Sequence, residues 1–176
     1  MKIVYSISLV LIACIFYACS STGYLGKPNY IVVSDSETKV LKGILSRAVI
    51  ENDTAFGWFK ENMQYGRVDP DALKQFKEKG SQFRLLIFCG TWCHDSQNLL
   101  PKIYRLIDQS GFPANKISLV GMDRAKTAPG HLEVKWKIES VPTFIVLKNG
   151  KEFGRVVEYG KSGNTEKELA DIVAKL

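Results

Sequence analysis

The chain has 176 residues, 45% apolar and 24% charged, which suits a globular protein with a packed core and excludes a disordered one. Its formal charge of +6 is spread along the sequence with no Lys/Arg block, so no focused patch points to nucleic acid. Four cysteines fall in two pairs, Cys14 with Cys19 and Cys89 with Cys93, too sparse for a disulfide scaffold.

In chain order, residues 1–18 come first. Lys2 supplies a positive start, and residues 3–17 are mostly apolar, the length of a signal h-region and short for a membrane span. The run ends at Ala18-Cys19-Ser20-Ser21, which resembles a bacterial lipoprotein signal. That resemblance implies cleavage before Cys19, lipidation of Cys19, and a protein held on the membrane of the bacterial envelope and facing the periplasm. Leu11-Ile12-Ala13-Cys14 offers a second match, and an ordinary secretory signal or an uncleaved anchor are further readings. Residues 19–37 are rich in Ser, Thr, Gly, Pro and Asp and read as a tether, with Tyr30–Val33 as a short strand near its end.

Residues 38–82 read as a strand and helical extension. Thr38–Ser46 predicts a strand, and Asn52-Asp53-Thr54 offers helix caps before Phe56, Phe59 and Met63 at helical spacing. This aromatic stripe reads as a core face. Asp69-Pro70-Asp71 opens another helix, with a cap, a proline at the first helical position and an acid. Ala72, Leu73 and Phe76 face inward, and Gly80 ends it.

Residues 83–176 have a different organisation. Phe83–Cys89 is almost continuously apolar, the pattern of a strand buried on both faces. Gly90-Thr91-Trp92 breaks it, and a helix opens at Cys93 with Leu99, Leu100, Ile103, Leu106 and Ile107 inward and Pro101 inside, where it should kink. Ile117–Asp123 is the next strand, so a βαβ unit with parallel strands follows. A short helix around His131–Trp136 precedes Val141-Pro142-Thr143. Phe144–Leu147 and Glu152–Tyr159 flank an Asn149-Gly150 turn, the strongest short hairpin signal. Thr165-Glu166-Lys167-Glu168 reads as a capping box before a terminal amphipathic helix.

The chemistry-bearing stretch is Cys89 to Ser96. A thiol at a helix start meets unpaired N–H groups and the positive end of the helix dipole, and both favour the thiolate. Trp92-Cys93, Pro101 eight residues later, Val141-Pro142-Thr143 before a strand and Lys148-Asn149-Gly150 together resemble a thioredoxin fold over residues 83–176. The implied architecture is α/β and three-layered, a central mixed β-sheet flanked by helices, here with an N-terminal extension. Gly90-Thr91-Trp92-Cys93-His94-Asp95-Ser96 further resembles the Gly-Thr-Trp-Cys-x-Asp-(Ser/Thr) site of thioredoxin-family lipoproteins of Bacteroidetes.

The resemblance makes Cys93 the attacking cysteine and Trp92 the aromatic beside it. Val141–Pro142 becomes the cis bond against that cysteine, where backbone can pair with an extended substrate. It implies no cofactor, no metal, and partners that are disulfide- or thiol-containing proteins together with an external thiol reductant. Three positions depart from the family pattern. Ser96 stands where the resolving cysteine belongs, Ile87 where an aspartate is buried, and Leu119 where that aspartate's lysine partner lies.

Four readings follow. Cys93 acts as a monothiol in reduction, isomerisation or mixed-disulfide formation, with Ser96 as an auxiliary hydrogen-bond donor, protonated His94 favouring the thiolate and Asp95 opposing it. Alternatively Cys89 resolves Cys93 as a Cys-x-x-x-Cys pair. Cys89 and Cys93 with His94 or His131 deliver a metal, in a third reading. In the last, the domain is a non-enzymatic binding module.

Overall fold

A computed structural model describes residues 24–33 and 38–176. The expectations of a signal at 1–18 and lipidation at Cys19 fall on residues outside that set. No helix among the described residues is long and apolar enough to cross a membrane.

Six strands form one sheet in the order β1-β2-β4-β3-β5-β6. They are β1 (Asn29–Val33), β2 (Val40–Leu45), β3 (Arg84–Cys89), β4 (Ile117–Gly121), β5 (Thr143–Lys148) and β6 (Lys151–Val157). Among the described strands only the β3–β4 pair is parallel, because only there does a long helix carry the chain back to the same end of the sheet. The helices are α1 (Arg47–Glu51), α2 (Trp58–Asn62), α3 (Pro70–Lys79), α4 (His94–Ser110), α5 (Leu132–Lys135) and α6 (Thr165–Val173).

Side-chain alternation along β3 sorts the protein into two cores. Leu85, Ile87 and Cys89 point into the larger one, with Ile50 of α1, Phe59 of α2, Phe76 of α3, Ile103 of α4 and Leu169 of α6. Leu86 and Phe88 point to the other face, against Val120, Met122, Trp136, Val141 and Ile145. The expected three layers are therefore present but uneven. Five helices cover one face, while the loop around α5 and Leu25 of the N-terminal segment cover the other. Phe76, Phe83 and Phe112 close one end of the larger core with ring centroids 4.8–5.6 Å apart, a spacing at which tilted and edge-on rings attract.

Local signals explain most elements. Asp69 caps α3 by accepting from Asp71 N and Ala72 N, with Pro70 in the first turn. Asn149 (φ 52°) and Gly150 (φ 76°) both adopt the left-handed conformation that a two-residue hairpin turn needs. Three readings need correction. The helix expected from Asn52 through Met63 is broken into a turn at Thr54–Phe56 and the short α2. The segment Arg47–Glu51, unassigned by pattern, forms α1. The cap of α6 is Asn164, whose side chain accepts from Lys167 N, and not Thr165, because the Thr165 hydroxyl donates instead to Glu158 O.

β2 approaches β4 closely. A Cβ at Gly121 would lie 2.4 Å from Leu41 O, so the absent side chain is what lets the extension's strand join the sheet here.

Candidate active site

β3 ends at Cys89, and Met122 N donates to Cys89 O, continuing the parallel ladder past the strand. The chain then turns through Gly90-Thr91-Trp92 and enters α4. Cys93 is the residue that begins the helix: its backbone is extended (φ −89°, ψ 122°), its N–H donates to Gly90 O and its C=O accepts from Gln97 N. The half-buried Cys93 Sγ lies 3.2 Å from Val141 O, so the thiol donates to the carbonyl just before Pro142. The Val141–Pro142 bond is cis. The sulfur, the helix start and the cis-proline loop thus come together although 48 residues separate Cys93 from Val141.

The other predicted residues divide. Trp92 lies beside Cys93, its Nε1 donating to Met122 O at 2.9 Å and its ring 5.4 Å from the Arg124 guanidinium. His94 is exposed and Asp95 half-buried in the first turn of α4. Ser96 is fully buried, and its Oγ accepts from Gly90 N at 3.1 Å. No hydrogen bond joins Ser96 to Cys93 among the described residues, so the hydroxyl staples strand end to helix.

Cys89 is 1% exposed and points into the larger core, whereas Cys93 packs against the smaller one. Burial pushes the Cys89 thiol up to about 12, and the neighbouring Cys93 pushes the same way. Among the described residues neither thiol forms a disulfide. Ile87 and Leu119 face each other across the β3–β4 ladder, both buried, so apolar packing fills this position. His131 is 87% exposed and contacts Glu133 at 3.3 Å. Among the described residues no group of three or more His, Cys, Asp or Glu gathers to hold a metal.

Several side chains that shape the site escaped the sequence. The Thr91 hydroxyl accepts from Leu41 N (3.1 Å) and donates to Lys39 O (3.0 Å). Gln97 Nε2 donates to Thr91 O, and Asn62 Nδ2 donates to Gln97 O. On the neighbouring loop Asp123 pairs with Lys42 at 2.8 Å and accepts from Thr127 N and Oγ1. Burial works against the Asp123 carboxylate, yet these partners hold it below the usual range. No local pattern marks these residues, because their partners lie up to 81 residues away.

A mixed sheet between helical layers, a half-buried thiol opening the helix after a central strand, and a cis proline against its sulfur define a thioredoxin-like site. A family model described as thioredoxin matches residues 67–175, more than half of the chain. The chain belongs to the thioredoxin family, whose members are thiol–disulfide oxidoreductases. A thioredoxin of Echinococcus granulosus is 31% identical over 100 residues, covering 57% of this chain and 87% of that protein. A thioredoxin H-type 1 of Nicotiana tabacum is 25% identical over 119 residues, covering 66% and 86% respectively. A crystal structure of a Pseudomonas aeruginosa protein of unknown function matches with a TM-score of 0.50 at 21% identity. It covers 73% of this chain and 89% of that one, a likeness of fold.

Proposed function

We propose that this protein carries out thiol–disulfide exchange on extracytoplasmic proteins through a single working cysteine, Cys93. One observation carries the reading. Cys93 Sγ sits half-buried at the helix start and 3.2 Å from the cis-proline loop, while the next turn offers Ser96 bound to Gly90 N. A thiol so placed begins exchange, and the helix holds no second thiol to finish it.

The Cys93 thiolate attacks one sulfur of a substrate disulfide. That S–S bond breaks, a Cys93–substrate disulfide forms, and the second substrate sulfur leaves as a thiolate. A second thiol then attacks the mixed disulfide and releases Cys93. If it comes from outside, the substrate is reduced and the external thiol is oxidised. If it is the substrate's own, the substrate disulfide is rearranged with no net change in redox state. Cys89 is a poor resolving group in this scheme, because its buried thiol is almost entirely protonated at neutral pH.

The membrane part of the proposal rests on the signal-like stretch ending at Cys19. Metabolic labelling with a fatty-acid analogue should mark the wild-type chain and not Cys19→Ala; equal labelling would sink the anchor.

The exchange is tested by trapping. The full chain and its Cys93→Ser variant are expressed in a bacterial envelope, free thiols are blocked, and disulfide-linked partners are identified by mass spectrometry. Adducts that disappear with Cys93→Ser are expected, and they should persist in Cys89→Ala. Their absence from the wild-type protein refutes the exchange reading and leaves a non-enzymatic binding module.

A further inference from the structure

We propose that Lys39–Lys42, the start of β2 together with the residue before it, is a positioning element of the redox site, acting through Thr91 and Asp123. The inference rests on the reading of Cys93 as the reactive thiol and adds what holds it in place.

The β2–β4 ladder stops at Gly43↔Gly121. Beyond it, among the described residues, the Leu41 N–H and the Lys39 C=O have no strand to pair with on that side. The Thr91 hydroxyl fills the gap, accepting from the first and donating to the second, with Thr91 only 2% exposed. One side chain thereby continues a sheet ladder into the turn that carries Cys93, across 50 residues of sequence. A hydroxyl that both accepts and donates has its orientation fixed, and the main chain that bears it is fixed too.

The second loop flanking Cys93 is tied to the same strand. Lys42 Nζ contacts both Asp123 and Thr127. Asp123 in turn organises the loop next to Met122, whose carbonyl receives the Trp92 indole N–H. Both walls of the thiol are therefore referenced to Lys39–Lys42. That strand lies outside residues 67–175, the part matched by the family model. The extension is a component of the site and not a spacer.

The test uses the reduced full chain and compares wild type with Thr91→Val, Thr91→Ser and Lys42→Met. The probe is a small aromatic disulfide, dithiobis(nitrobenzoate). Cys93 thiolate attack breaks its S–S bond, forms the protein mixed disulfide and releases one coloured thiolate. Rates are taken across pH after subtracting the release seen with a Cys93→Ser control, which accounts for the other three cysteines, and amide hydrogen exchange is followed at Gly90–Cys93 in parallel.

Thr91→Val should slow the reaction about tenfold, the scale expected when a reacting atom is misplaced by a fraction of an ångström. Thr91→Ser, which keeps the hydroxyl, should stay within about twofold, a contrast that side-chain packing alone would not produce. Exchange at Gly90–Cys93 should quicken in Thr91→Val and not in Thr91→Ser. Lys42→Met reads the second tie should Thr91→Val not fold, and it should slow the reaction in the same direction. Wild-type rates and exchange in folded Thr91→Val, or Thr91→Ser behaving as Thr91→Val, would overturn the proposal. An unreactive wild-type Cys93 with altered exchange in Thr91→Val would instead overturn the redox reading and leave the positioning intact.

Discussion

Cys89 and Cys93 are four positions apart, and their surroundings give them opposite chemistry. Cys93 opens a helix at half exposure, with its sulfur against Val141 O. Cys89, the last residue of β3, lies buried in the larger core among apolar side chains that disfavour a charge and push its thiol up to about 12. Iodoacetamide applied to the folded protein near neutral pH should therefore modify Cys93 and spare Cys89, and both should react after denaturation. Peptide mapping reads the difference. Replacing Cys89 with Ala should cost about 1 kcal/mol for the sulfur removed from a packed core, without a matching loss of Cys93 reactivity. An oxidised protein lighter by two hydrogens, with the bond mapped to Cys89–Cys93, would contradict this assignment. Ser96 shows the same dependence on context: a hydroxyl one helical turn from a thiol invites a catalytic role, yet its partner is Gly90 N.

At the scale of elements, the frame around the site is built from helix ends and aromatic contacts. α3 and α6 meet at their N-termini, where the Asp69 carboxylate caps α3 and also accepts from Asn164 Nδ2 at 3.3 Å. Asn164 caps α6 in turn. Asp69→Ala removes one cap and the link to the other. It should destabilise the protein by about 1–2 kcal/mol, the upper range for a helix cap, as read from urea unfolding. A change near zero would mean that water replaces the carboxylate at no cost. α1 is held on α4 by a different device. The Arg47 guanidinium pairs with Glu51 and Asp108 and lies 5.3 Å from the Tyr104 ring and 5.8 Å from that of Phe59. Such contacts explain why a helix of only five residues persists where sequence pattern shows none, since short helices draw their stability from packing.

At the scale of the whole molecule, the response to pH divides by sign. Burial raises the Glu166 carboxyl above its ordinary value of 4.5, although the Asp69 N–H and the charges of Arg105 and Lys102 oppose this. Its Oε1 is buried without a hydrogen-bond partner among the described residues. The folded state thus holds this proton more tightly than the unfolded chain does. The stability it contributes is complete below pH 4.5 and is lost as pH rises through the folded value. Glu166→Gln keeps an acceptor for Asp69 N and has no such slope. The variant should gain stability relative to wild type as pH rises from 4.5, and the gain should level off once Glu166 is ionised in the folded state. Asp53 and Asp123 act in the other direction. The first is held low chiefly by its bond with Lys39, the second by Lys42 and Thr127 against burial. Their contribution is present above the ordinary carboxylate value and lost on acidification. Paired denaturation curves at several pH values separate the two signs; a pH-independent difference between Glu166→Gln and wild type would remove Glu166 from the account.

The sequence by itself determined the order of strands and helices from Phe83 onward, the Asn149-Gly150 hairpin and the Asp69-Pro70 helix start. Each of these depends on periodicity or on turn and cap chemistry that acts within a few residues, and so is readable locally. Only the tertiary structure decided what surrounds Cys93. Thr91 meets Lys39 and Leu41, Lys42 meets Asp123, and Cys89 turns away into the larger core. It also decided the form of residues 47–63, where burial of Ile50, Phe56 and Phe59 against the sheet and α4 overrides a single continuous helix. Hydrogen bonds and packing between segments tens of residues apart leave no periodic trace in the chain, and they appear only when strand alternation and sheet order bring the partners together.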